Sequence, residues 1–254
     1  MNTVQEIFER LCSFAPLDLQ MDFDNSGFLI GRGDRPVQSV LLALDITLPV
    51  IQEAEELGAQ LIISHHPVIF RALKELKPDG PGEKALLLAE KGIAAICMHT
   101  NLDIAEGGVN DVLIRLLGAE PEQALDAEGC GRIGVLPDEM PLPAFLARCK
   151  ERLQANGLRY VDGHRPVHRI AVMGGSGGDA LSDAIQKGCD TFVTADVKYH
   201  SFLEASERGL NLIDADHFCT ENPVIPDLAA RLQQVFPSVS FFVSHVHSQV
   251  VSFF

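Results

Sequence analysis

A mixed α/β chain made of two related halves is the fold this sequence of 254 residues predicts. Three observations carry that expectation. Apolar runs of strand length alternate with helix-period segments, and glycines close several of the helices. The order strand, helix, glycine, strand occurs in both halves of the chain at matching spacing. Several strands also end in His, Asp or Glu, at the edge where open α/β sheets hold their ligands.

The first half spans residues 1–127. Ile7, Leu11 and Phe14 give residues 4–14 helical spacing. Residues 22–33 are turn-rich, and Asp24-Asn25-Ser26-Gly27 bends the backbone ahead of the strand Phe28-Leu29-Ile30-Gly31. A strand at 40–46 leads to a helix at 49–57, with Thr47 as N-cap and Gly58 as terminator. The strand 61–64 then completes a β-α-β unit, which implies a parallel pair with a right-handed crossover. A further helix (85–91), Gly92 and a strand running to Met98 extend it.

The second half, residues 168–254, repeats the pattern. Its strands are expected at 169–173, 191–194 and 210–215, with helices at 179–187 and 201–208 ended by Gly188 and Gly209. Aligning Gly58 with Gly188 and Gly92 with Gly209 superimposes His99-Thr100 on Asp216-His217. That coincidence predicts an internal duplication, with strand ends meeting across a cleft. Between the halves, residues 128–167 read as a connector holding a strand (131–136), a helix (142–155) and another strand. Val224, Leu228, Leu232 and Val235 mark the buried face of a helix at 223–235, with Thr220 as N-cap and Glu221 at its start. Residues 239–254 are strand-like, with Val243, His245 and His247 alternating along them. The ending Val250-Val251-Ser252-Phe253-Phe254 predicts burial or a subunit contact.

The chain is 46% hydrophobic and 22% charged, which is ordinary globular usage. No apolar run is long enough for a membrane-spanning helix, and the first residues lack the features of a signal peptide, so a cytoplasmic location is expected. A formal net charge of −15 argues against broad nucleic-acid binding. It leaves room for an anionic substrate, because bound divalent cations reverse the local field. Cys12, Cys97, Cys130, Cys149, Cys189 and Cys219 contain no C-x-x-C pair and read as reduced, mostly buried thiols. Cys219 lies between His217 and Glu221, two candidate ligands.

Ser64-His65-His66-Pro67 is the most informative local feature. Adjacent strand residues face opposite ways, so two neighbouring imidazoles serve either two metals or a strand that has just ended. His99-Thr100-Asn101-Leu102-Asp103 and Asp214-Ala215-Asp216-His217, with Glu221, place ligand types at two further strand ends. Polar turns are common after strands, but three such ends together point to a metal or catalytic site. Gly174-Gly175-Ser176-Gly177-Gly178 could cradle a phosphate, yet it lacks the P-loop lysine and reads better as a tight turn. Thr194-Ala195-Asp196-Val197-Lys198-Tyr199-His200 offers acid–base groups, or simply a polar helix start. No G-x-S-x-G elbow is present, which argues against a serine hydrolase.

Together with Phe23-Asp24-Asn25-Ser26-Gly27, these motifs resemble the NIF-three-like family, also called the GTP cyclohydrolase I type II homologues, over nearly the whole chain. The resemblance implies two related α/β halves with a pair of divalent metals in the cleft between them, and assembly as a toroidal homohexamer. It also implies His65, His66, Asp103, His217 and Glu221 as metal ligands. His66 and Asp103 would serve one ion, His65 and His217 the other, with Glu221 bridging. His99 and His200 would lie beside the metals in catalytic or substrate-binding roles. Phe23 stands where family members often have Trp, and Ala195 and Asp216 where they often have Gly. The expected activity is a dinuclear metal-dependent hydrolase of a nucleotide-like or other small polar substrate, with GTP cyclohydrolase activity as the family's name-giving proposal. A non-catalytic metal-binding scaffold or metal-handling protein is the alternative. Nitrogen and oxygen ligands suit zinc, manganese, iron, cobalt or nickel.

Overall fold

The computed structural model describes residues 2–80 and 82–253. Helix α1 (Val4–Phe14) is followed by strands β1 (Gly27–Ile30) and β2 (Ser39–Ala43), helix α2 (Leu48–Glu56) and strand β3 (Leu61–Ser64). Helix α3 (Glu83–Lys91), strand β4 (Ala94–Cys97), and helices α4 (Thr100–Ile104) and α5 (Val109–Leu117) come next. Strands β5 (Gln123–Ala124) and β6 (Arg132–Met140), helix α6 (Leu142–Arg152) and strands β7 (Arg159–Val161) and β8 (Val167–Val172) occupy the middle of the chain. Helix α7 (Leu181–Gln186), strand β9 (Thr191–Thr194), helix α8 (Tyr199–Arg208) and strand β10 (Asn211–Asp214) lead to helices α9 (His217–Glu221) and α10 (Val224–Val235) and strand β11 (Ser240–Val243). No helix among the described residues is long and apolar enough to cross a membrane.

Contacts divide the chain into two units. One comprises the residues up to Glu106 with Ile225–Ser248; the other comprises Gly107–Val224 with the residues from Gln249. The first unit's sheet has the order β1-β4-β3-β2-β11, with only β1 antiparallel to its neighbour. Thr47 caps α2 as expected, its hydroxyl accepting from Val50 N at 3.3 Å, and Val50, Ile51 and Ala54 pack beside Leu41, Ile62 and Ala95. Ala43, Ser64 and Cys97 stand level in the ladder. Two residues beyond them, Asp45, His66 and His99 therefore leave the sheet at one carboxyl edge.

The second unit's sheet has the order β5-β6-β8-β9-β10-β7. Its parallel centre, β8-β9-β10, has the same chain order as β2-β3-β4, and each set carries an antiparallel strand beside its last member. Phe192, Leu212, Ala171 and Ala184 fill one side of this sheet, and Phe145, Val193 and Ile213 fill the other. Helix α6 brings Phe145 and Cys149 into that second layer.

The strands expected at 61–64 and 191–194 match β3 and β9. Three expectations are revised. Residues 128–167 are part of the second sheet, because β6 pairs antiparallel with β8 and β7 with β10. The segment after Ile225 returns to the first unit, because β11 pairs in parallel with β2. The strand-like tail ends at Val243, and Val250, Val251 and Phe253 stay exposed by 50% or more. Asn156 holds the tail by donating to Val251 O at 3.0 Å, and Phe254 lies outside the described residues.

Candidate metal centre

Strand β3 ends at Ser64, so neither imidazole of the His65-His66 pair is bound to strand alternation. Their rings lie 5.0 Å apart, and His99 stands edge-on to both at 5.1 and 5.4 Å. One nitrogen from each of the three comes within 4.8 Å of the others. Helix α4 starts at Thr100 and carries Asp103 inward, placing Oδ1 3.6 Å from His65 Nε2.

The Nδ1 atoms of these rings are already engaged. His65 Nδ1 bonds Met98 O at 2.8 Å, His66 Nδ1 bonds Asp45 Oδ1 at 2.8 Å, and His99 Nδ1 bonds Asp24 Oδ1 at 2.7 Å. A carbonyl or carboxylate oxygen accepts only, so each of these Nδ1 atoms carries a proton and donates it, which fixes the orientation of the ring. Asp45 also accepts from His247 Nε2 at 2.9 Å. Burial favours the neutral acid at Asp24 and at Asp45. Hydrogen bonds from His99 and Thr100 in the first case, and from His247 and His66 in the second, overcome it and hold both well below the usual carboxylate range. Asp24, Asp45 and His247 were not read from the sequence as site residues. Asp45 carried a signal, since it follows its strand at the same offset as His66.

In the second unit, His217 repeats the arrangement. Its Nδ1 bonds Asp196 Oδ2 at 2.7 Å, and its Nε2 lies 3.1 Å from Glu221 Oε2. Burial works against a charged ring, but the hydrogen bonds and charges of Glu221 and Asp196 prevail and raise the His217 pKa to about 9. Glu221 closes α9 and is not at the start of the next helix, so Thr220 is not that helix's cap. Thr220 Oγ1 instead accepts from Gly175 N at 3.0 Å and donates back to Asp216 O.

The glycine-rich segment is a tight turn that makes room for this carboxylate. Gly174 N donates to Asn110 Oδ1 and Gly177 N to Thr194 Oγ1, which leaves those groups engaged within the protein. A Cβ on Gly175 would collide with Glu221 Oε1. Asp214 supports the backbone, accepting from Val197 N, Asp216 N and Arg159. His200 lies exposed on α8, and its side chain makes no hydrogen bond or ion pair to another described residue. Cys219 is a buried thiol pushed up to about 12 by burial and Asp216, so it stays protonated at neutral pH. None of the six cysteines is in a disulfide and five of them are buried, as expected from the sequence.

Asp216 adopts φ 72° and ψ 140°, a region that favours glycine, while its side chain caps α9 by accepting from Cys219 N. Asp216→Gly removes strain worth about 1–3 kcal/mol and loses a few tenths of a kcal/mol of capping. The variant should be more stable by roughly 1 kcal/mol, read as a higher urea midpoint at unchanged slope. A lower midpoint contradicts this account.

The donor set suits a divalent cation: imidazoles whose orientation is fixed through Nδ1, alongside the buried carboxylates of Asp103 and Glu221. A family model described as Duf34/NIF3 (NGG1p interacting factor 3) matches residues 2–251. A Clostridium perfringens protein named GTP cyclohydrolase 1 type 2 homolog is 36% identical, over 96% of this chain and 95% of its own. Among solved structures, Staphylococcus aureus hypothetical protein SA1388 is 30% identical, with 99% of each chain covered and a TM-score of 0.91. Reduced HcgD from Methanocaldococcus jannaschii is 28% identical over 95% of this chain and 97% of that one, with a TM-score of 0.82.

Proposed function

The chain belongs to the Duf34/NIF3 family, and from its histidine geometry we propose that it is a dinuclear metal-dependent hydrolase of nucleotide-like or other small polar substrates. His65, His66, Asp103, His217 and Glu221 hold two divalent cations in this reading, with Glu221 bridging. One observation carries it: His65, His66 and His217 each have Nδ1 held by an acceptor at 2.7–2.8 Å, which fixes the orientation of each ring as a metal-ligating imidazole requires. When bound, paired divalent ions supply Lewis acidity toward water and toward a phosphoryl or carbonyl oxygen.

The protein's own groups would position this chemistry. Asp45 and Asp196 orient the imidazoles, and His99, oriented by Asp24, is the residue assigned to proton transfer or substrate contact. His200 is assigned a substrate-side role on the strength of its motif. Metal analysis after gentle purification should find about two ions per chain. A panel of nucleotides and phosphoesters, with GTP included because relatives bear that name, should show hydrolysis that rises with added divalent metal. A fully loaded protein that turns over nothing in the panel contradicts the hydrolase reading.

Assembly as a homohexamer is part of the same proposal, supported by the exposed Val250, Val251 and Phe253. Light scattering at micromolar concentration should report the hexameric mass. A stable monomer sinks it.

A further inference from the structure

We propose that Phe23 and Phe70 form a binding subsite for the planar heteroaromatic ring of a nucleotide substrate. The inference rests on reading the neighbouring histidines as a hydrolytic metal centre. It names the class of molecule that centre receives.

Large apolar side chains left in water call for an explanation when they cluster beside a polar site. Phe23 is 65% exposed and Phe70 44%, and their rings meet edge to face at 6.4 Å. Phe70 in turn stands edge-on to His99 at 6.1 Å. His99 is the ring that touches both His65 and His66. An unbroken row of rings thus runs from solvent to the candidate ligands.

The two phenylalanines are open to water, yet the chain around them is fixed. Asp24, directly after Phe23, has a fully buried side chain that accepts from Asn25 N, Ser26 Oγ, Thr100 N and Oγ1, and His99 Nδ1. Asn25 Nδ2 donates to Ile69 O, directly before Phe70, and so ties the two loops together. The entropy of ordering these loops is therefore lost on folding and not on binding. Phenylalanine offers faces and edges but no hydrogen-bond donor. Such a pair selects a flat π-system without choosing among bases.

Titration calorimetry on metal-loaded protein tests this, with AMP, GMP and CMP compared against ribose 5-phosphate, which keeps the phosphate and sugar but lacks the ring. The three nucleotides should bind with similar affinity, each at least about tenfold tighter than ribose 5-phosphate. Phe23→Ala and Phe70→Ala should each weaken nucleotide binding about tenfold, leaving ribose 5-phosphate binding and metal content unchanged. Phe23→Trp should retain the preference. Equal binding of nucleotides and ribose 5-phosphate by wild type overturns the proposal, as does a preference that survives both alanine changes. So does a change in particle mass with the preference intact, since the rings then pack against a second copy of the chain. Product release is read separately. Ring preference without turnover keeps the subsite and rejects the hydrolase, whereas turnover without ring preference does the reverse.

Discussion

Glu221→Gln should remove both metal ions while leaving the fold in place. A carboxylate can give one oxygen to each of two ions, whereas an amide has a single, uncharged acceptor oxygen and is a poor bridge. Glu221 ends the short helix α9 and its side chain is 5% exposed, so the substitution changes charge with almost no change in volume. Metal analysis should fall from about two ions per chain toward none, with unchanged far-ultraviolet dichroism. Asp103→Asn, by contrast, should weaken one position more than the other. A well-folded Glu221→Gln protein that keeps both ions and full activity would falsify the bridging role.

The same substitution has a signature in metal-free protein. His217 rises from the ordinary 6.5 to about 9 in the folded chain, despite burial, because Glu221 and Asp196 favour its charged form. A raised folded pKa contributes stability that is fully present below the unfolded value and is lost as pH rises through about 9. Metal-free wild type should therefore lose stability between neutral and alkaline pH, and Glu221→Gln should lose less of it. An ion that takes Nε2 must displace this proton, so binding at neutral pH should release protons to the buffer.

The parts of this architecture that were legible in the sequence rest on local signals. Leu61-Ile62-Ile63 and Thr191-Phe192-Val193 are apolar runs bounded by glycine-ended helices, and both form strands at the expected residues. The His65-His66 pair, directly after the first of those strands, stands out for the same reason. What escaped depends on partners distant in the chain. His247 and Asp45 are 202 residues apart, and nothing local to either announces the other. The place of Glu221 was misjudged because Asp216 takes a positive φ and starts a separate helix at His217, which an aspartate does not advertise. Residues 128–167 read as a connector because β6 runs on into the polar Pro137-Asp138-Glu139, where alternation fades. Its pairing with β8, register shift included, is a tertiary outcome.

Gly175→Ala should abolish metal binding without touching a ligand's own identity, and a second glycine separates the two reasons it could do so. Gly175 has φ +64°, where a side chain brings strain of about 1–2 kcal/mol. Its backbone is held on both sides, N donating to Thr220 Oγ1 at 3.0 Å and O accepting from Ala195 N at 2.9 Å, so it cannot swing away. The new methyl would run into Glu221 Oε1, and would meet Glu221 Cδ at 2.9 Å and His217 Nε2 at 3.2 Å. The carboxylate must move, and with it the oxygens that the proposed metal pair would take from Glu221. Gly188 has φ +72° with nothing within 4 Å of an added methyl, so Gly188→Ala brings similar backbone strain without a collision. Both variants should therefore lose roughly 1–2 kcal/mol of stability in urea, with Gly175→Ala losing more. Only Gly175→Ala should lose metal, measured per folded chain. Equal metal retention in the two would mean that Glu221 accommodates the methyl by turning its carboxylate, and that the turn at Gly175 does not set the ligand position.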